Sequence, residues 1–190
     1  MPPETFFTAE MILDEAFRIL RTEGLNSVTA RKISANLGCS TQPIYSVFRS
    51  MRELKEEVIR KARQYALHYL LAEPMEGKES YSMGLQYFKF AREESLLFRQ
   101  LFLSGKSAMT LDKMTDYSGP LIERMKKDPE LQGLNESQIG RIGRDMWIYT
   151  HGIILFSFES EAEGIEEKVK SSIYHMGKTI IEWEHNKKEE

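Results

Sequence analysis

One cysteine, Cys39, stands in a chain of 190 residues, so no internal disulfide can form and no cysteine-rich metal site is available. Long apolar runs are missing as well. The best, Ile153-Ile154-Leu155-Phe156, ends far short of the ~20 residues a membrane span needs. Apolar/polar alternation bounded by Asn-Gly or Asp-Gly turns, the mark of paired strands, does not occur. With 6 prolines and 12 glycines the chain is neither collagenous nor compositionally disordered. Met1-Pro2-Pro3-Glu4-Thr5 has no basic stretch leading into an apolar one, so a signal peptide is not expected and a reducing, cytoplasmic location is.

Patterns that carry catalysis are equally scarce. There is no glycine-rich phosphate loop, no Gly-x-Ser-x-Gly elbow and no Cys/His arrangement. His68, His151 and His175 fall on separate expected helices without a ligand one turn away, so no metal site is expected. Glu159, Glu161, Glu163, Glu166 and Glu167 suit a solvated helix junction better than an acid/base pair. The expectation is a protein that is not an enzyme and needs no cofactor. Cys39 itself is expected to be a small packing residue, since no resolving thiol exists.

What the chain does have is helical periodicity. Apolar residues recur at i, i+3 and i+4 almost throughout, with glycine and proline as punctuation at Gly24, Gly38, Pro74, Gly77, Gly105, Pro129, Gly133 and Gly164. The spacing predicts an all-α fold of about nine helices, over roughly 8–23, 29–38, 41–47, 51–71, 79–94, 95–104, 110–127, 136–159 and 163–185. Thr29 is a good N-cap, Ser40 caps the third helix, and Ser50/Glu53 and Asn135/Gln138 have capping-box spacing. Two domains are expected: a head over 1–54 and a helical bundle over 55–190, joined by the fourth helix. The net charge of −3 is uneven, with 10 basic against 8 acidic residues over positions 1–65 and the deficit beyond. A mildly basic head on an acidic body is compatible with a nucleic-acid partner without requiring one.

The densest information lies between Thr29 and Tyr45. A helix, a three-residue turn containing Gly38 and a second short helix make a helix-turn-helix. Ile33, Leu37, Ile44 and Phe48 would hold the pair together, with Ala35 at their close crossing. Such a unit places its second helix in the DNA major groove. There Ser40, Thr41, Gln42 and Tyr45 would face outward beside Pro43. Glutamine matches the adenine edge and the threonine methyl matches thymine, while hydroxyls suit phosphate oxygens.

The run Thr8-x-x-x-Ile12-Leu13-Asp14-x-Ala16, Glu23-Gly24, Thr29-x-Arg31-x-Ile33, Leu37-Gly38-Cys39-Ser40-x-x-x-Ile44-Tyr45-x-x-Phe48-x-Ser50-x-x-x-Leu54 resembles the tetracycline-repressor-like (TetR) family of bacterial regulators. Further on, Trp147-x-x-x-His151-Gly152 resembles a WHG-type C-terminal domain found in some members. The resemblance implies a helix-turn-helix head on a C-terminal bundle. It also implies a homodimer on a palindromic double-stranded operator, most simply a repressor released by a small effector, with no membrane partner. By position it implies DNA contacts from Thr29 and Arg31, base reading by Thr41, Gln42 and Ser46, and a phosphate contact from Tyr45. Where the family commonly has a lysine after Ser50 stands Met51, leaving Arg49 or Arg52 to reach that phosphate. The competing expectation is a helical partner-binding protein whose helix-turn-helix no longer meets DNA.

Methionine and aromatic side chains crowd positions 65–149, a supply suited to an adaptable apolar cavity for an apolar or aromatic effector. Tyr69, Phe88, Phe102, Met114, Tyr117, Trp147 and His151 are the expected lining, one or two from each successive helix. Trp147 and His151 share a helix face, as a buried hydrogen-bonded pair or as a pocket wall. The last two helices, with Ile139, Ile142, Met146, Ile153, Ile165, Val169, Ile173, Met176 and Ile180 at helical spacing and Gly140, Gly143, Gly152 and Gly177 for close approach, are the expected dimer interface.

Overall fold

The computed structural model describes residues 7–104, 115–158, 160 and 163–187, and the side chains of 115–118 are left aside. The described residues are all-α: α1 (Ala9–Glu23), α2 (Ala30–Leu37), α3 (Gln42–Val47), α4 (Met51–Leu71), α5 (Glu79–Glu93), α6 (Ser95–Phe98), α7 (Thr115–Met125), α8 (Glu136–Ser157) and α9 (Ile165–Asn186). Short 3-10 turns lie at Leu25–Ser27 and Pro129–Leu131. α6 does not run on as an α-helix to 104, as the periodicity predicts, but widens into a π-helical turn over Arg99–Leu103. The expected start of α7 at 110 lies outside the described residues.

Caps set the helix starts. The Thr8 hydroxyl accepts the Met11 N–H (3.2 Å) and the Thr29 hydroxyl accepts the Lys32 N–H (3.2 Å), each satisfying a donor that has no partner inside its own helix. Asn135 and Gln138 form the full reciprocal box, at 2.9 and 3.0 Å. α2 ends at Gly38, whose φ of 70° is left-handed. Glycine adopts that conformation without side-chain strain, and it lets the Cys39 N–H reach the Ser34 carbonyl at 2.9 Å.

The chain forms two compact units. The first takes the described residues up to Ala66 together with Glu94 to Ser104; the second takes Leu67 to Glu93 and everything described from Thr115 on. In the first, α1 turns Ile12, Ala16, Ile19 and Leu20 fully inward, and α2, α3 and α6 all pack against it. Ile33, Ile44, Leu54, Val58, Leu97 and Phe98 complete that core. In the second unit, α8 packs on α9, α5 and α7 around Met125, Leu131, Ile139, Ile142, Met146 and Ile181.

Two expectations need correction. Ala35 is exposed; the small buried residues of α2 are Ala30 and Ser34, and the Ser34 hydroxyl donates to the Arg31 carbonyl at 3.0 Å. Of the apolar residues assigned to a subunit interface, Ile139, Ile142, Met146, Val169 and Ile173 are buried within the protomer. Helical spacing marks an apolar face without naming what covers it, and here the covering is the chain's own neighbouring helices. The same holds for Gly177 and Gly143: a Cβ there would meet Met146 Cε at 3.0 Å and Met125 Sδ at 3.1 Å.

Among the described glycines the least clearance is at Gly84 of α5, where an added Cβ would lie 2.8 Å from Ile173 Cγ2 of α9. That methyl sits on a stiff β-branched side chain that cannot swing aside. Gly84→Ala is therefore expected to lower stability by about 1–3 kcal/mol despite alanine's better helix propensity. Denaturant unfolding measures it, and an unchanged or raised midpoint would show that α5 and α9 are free to separate.

Candidate nucleic-acid interface and effector region

α3 is six residues long, too short to be stable alone, and its position comes from what it buries. Ile44 and Phe48 point into the first unit while Thr41, Gln42, Tyr45 and Ser46 point out, Tyr45 being 52% exposed. Ser40 Oγ accepts the Gln42 N–H at 3.4 Å, and Pro43 brings no N–H that would need a partner. Among the described residues the side chains of Gln42 and Tyr45 make no intrachain hydrogen bond. Ser46 differs: its hydroxyl donates to the Pro43 carbonyl at 2.8 Å, so outward it offers lone pairs only.

Around this face stand exposed cations. Arg31 and Arg49 make no side-chain ion pair among the described residues, and Arg52 faces Glu56 at a loose 3.9 Å. Lys32, by contrast, is tied to Glu23. Thr29 is exposed, its oxygen already accepting the Lys32 N–H while its proton stays available. At the start of α4 the Ser50 hydroxyl accepts the Glu53 N–H (3.2 Å), and the Glu53 carboxylate reaches one residue further back than a regular capping box, accepting the Arg49 N–H at 2.8 Å. That contact, absent from the sequence reading, pins the backbone of the loop that carries Arg49. Met51 is half-buried.

Ionic ties hold the frame. Glu15 of α1 accepts two hydrogen bonds from Arg18 (2.6 and 2.9 Å) and one from Asn36 of α2 (2.6 Å). The Arg18 hydrogen bond chiefly, with that of Asn36, holds the Glu15 carboxyl below the usual carboxylate range. Lys61 of α4 pairs with Asp14 of α1.

In the second unit, Trp147 and His151 stack with ring centroids 4.9 Å apart and planes 19° from parallel. They do not hydrogen-bond each other. His151 Nδ1 instead meets the Tyr87 hydroxyl at 2.8 Å, and Tyr87 stacks on the His151 ring at 6.1 Å. Burial pushes the His151 pKa down. Tyr87 was legible only as one aromatic among many, because its partner lies 64 residues away.

The other expected lining residues are dispersed. Tyr69 packs on Phe90 edge to face at 5.3 Å and donates its hydroxyl to Glu93. Phe88 is buried under the Arg92 guanidinium. Phe102 belongs to the first unit, against Phe98 at 5.3 Å. Met114 and the Tyr117 side chain lie outside the described residues. A small cleft in the second unit is lined by Ser80, Asp128, Met146, Tyr174, Gly177 and Ile181 among others, none of them from the expected set. Its room of ≈ 20 Å³ is about that of one water molecule. Among the described residues no three His, Cys, Asp or Glu side chains are grouped to hold a metal ion, and no helix is long and apolar enough to cross a membrane.

Residues 12–58 match the family model of bacterial regulatory proteins, tetR family. No curated protein matches the sequence. Among solved structures, the chain is similar to the crystal structure of a tetR-family transcriptional regulator from Streptomyces coelicolor, with a TM-score of 0.63 at 11% identity, over 93% of this chain and 87% of that one. At that identity the likeness speaks for the fold: a helix-turn-helix head and a C-terminal helical bundle.

The His151 environment carries a pH signature. A histidine whose folded pKa lies below its unfolded value of ~6.5 favours the neutral form in the fold. Its contribution is complete above that value and is lost as pH falls through it toward the folded pKa. Between about pH 7.5 and about pH 5.5, the protein should lose more thermal stability than its His151→Asn variant loses over the same range. Equal losses in melting experiments would place His151 in an ordinary aqueous setting.

Proposed function

We propose that this chain, whose residues 12–58 match the family model of bacterial regulatory proteins, tetR family, represses transcription by binding a palindromic operator as a homodimer, releasing it when a small apolar or aromatic effector is bound. The observation that carries this reading is the outward face of α3. The side chains of Gln42 and Tyr45 stand exposed and make no intrachain hydrogen bond among the described residues, on a helix seated by Ile44 and Phe48. Arg31 of α2, Arg49 of the loop after α3 and Arg52 of α4 are exposed and supply the phosphate attraction.

In this reading Gln42 reads a base edge, with Thr41 and Ser46 beside it, and Tyr45 meets a phosphate along with Ser40, Thr29 and the arginines. Tyr87, Trp147 and His151 receive the effector: three stacked rings supply apolar area, and one neutral imidazole exchanges a hydrogen bond with a polar group. An effector that prefers one arrangement of the bundle shifts operator affinity by that preference and no more.

A dimer is supported by a different face from the one helical spacing suggests. On α8, Ile148, Leu155 and Phe156 are exposed, Phe156 by 87%, and Gly152 among them has open space before it. Trp183 is exposed on α9. An apolar stripe of this kind on one helix, at i, i+4, i+7 and i+8, suits a self-complementary contact.

Two experiments follow. Gln42→Ala should cost about 1–3 kcal/mol on a preferred duplex and relax base preference there, whereas Tyr45→Phe should weaken all duplexes alike. Salt-dependent binding to DNA from around the gene measures both, and no sequence preference in the parent protein would favour a protein partner over DNA. Separately, Leu155→Glu with Phe156→Glu should give folded monomers by sedimentation with DNA affinity reduced. A dimer that survives both charges would put the interface elsewhere.

A further inference from the structure

Glu94 is a buried charge that the reading above leaves without a role. It stands between α5 and α6 and is only 9% exposed. Three donors converge on its carboxylate: Arg21 Nε at 3.0 Å and Arg21 Nη2, both from α1, and the Tyr65 hydroxyl at 2.8 Å from α4. The Arg21 guanidinium also lies 4.8 Å from the Tyr65 ring centroid, and Tyr65 meets Phe17 of α1 edge to face at 5.5 Å. Glu94's hydrogen bond is the first cause raising the pKa of Arg21. These partners are 73 and 29 residues away in sequence, and all lie in the first unit.

The geometry fits a positioning device better than a surface ion pair. An exposed pair is worth little, but a buried carboxylate held by a two-point guanidinium grip and a hydroxyl fixes direction as well as distance. α1 is the helix on which α2 and α3 rest, and α4 carries Arg52 in its first turn and follows directly on the loop of Arg49. A residue that fixes α1 against α4 thereby fixes the reading helix relative to the phosphate-facing cations.

We infer that Glu94 is a positioning residue for operator recognition: its carboxylate sets the relation of α1 to α4, and through it the placing of α3 against Arg49 and Arg52. This rests on the DNA-binding function proposed above. Glu94 touches no DNA in this account, so its loss alters discrimination between duplexes while leaving general attraction to phosphate in place.

The test uses the full chain and a library of random double-stranded DNA, from which the parent protein selects its preferred site. Glu94→Gln keeps the shape and removes the charge. The expected result is unchanged affinity for random duplex, with affinity for the selected site reduced about 10-fold, the cost of roughly one mismatched base pair. Tyr65→Phe should act in the same direction to a smaller extent, and the exchange Arg21→Glu with Glu94→Arg should recover part of the selectivity. Glu93→Gln, one residue away and in the second unit, should change nothing. Undiminished selection by Glu94→Gln, an equal loss on selected and random DNA, or the same effect from Glu93→Gln would each overturn the inference while leaving the DNA-binding reading intact. A parent protein that selects no site overturns both. Should Glu94→Gln not fold, Tyr65→Phe decides, and its unchanged selection overturns the inference.

Discussion

The burial of one face of α1 is the constraint on which the placing of α2, α3 and α6 depends. Ile12, Ala16, Ile19 and Leu20 lie a turn apart along that face and are wholly shielded. α2, α3 and α6 each use it as their floor. α3 has neither the length nor the capping to persist alone, so its orientation is inherited. A lost methylene under it would be felt at the reading side chains, because close-packed interiors pass strain on rather than absorb it. The polar ties from Glu15, Asp14 and Glu94 to Asn36, Lys61, Arg21 and Tyr65 add direction to what apolar packing leaves loosely defined.

How much of this was legible in the sequence follows from the range of each signal. Features closed within four residues read well: the caps at Thr29 and Asn135, the stop at Gly38, and the helix faces of α1 and α8. Features that need a partner far along the chain did not. Leu97, Phe98, Leu101 and Phe102 form an unmistakable buried pattern, yet nothing in it says that the partner is α1 rather than the bundle. For the same reason Ile142 and Ile173 were assigned to a neighbouring subunit, although the protomer's own core covers them. Ser34 was overlooked for Ala35 because both are small, and only the burial of the serine hydroxyl against its own helix carbonyl distinguishes them.

The aromatic cluster shows the same limit from the chemical side. Four-residue spacing correctly placed Trp147 and His151 on one helix face, and they do touch. What sets the chemistry of His151, however, is Tyr87 on another helix, which fixes the use of one ring nitrogen. Burial disfavours protonation of that ring.

The first unit is assembled from two stretches of chain, one ending at Ala66 and one beginning at Glu94. A DNA-binding head of this design is not a detachable cassette. Joining the first 66 residues to a foreign protein would strip α1 of the apolar side chains at Leu97 and Phe98 and leave the Arg21 guanidinium without its carboxylate. Gene fusion or recombination at that boundary would therefore yield a sticky, misaligned head. New regulators built on this chain could arise by rewriting the surfaces of α3 or of the bundle in place, while exchange of whole halves between relatives would be penalised unless the later stretch travelled with the earlier one.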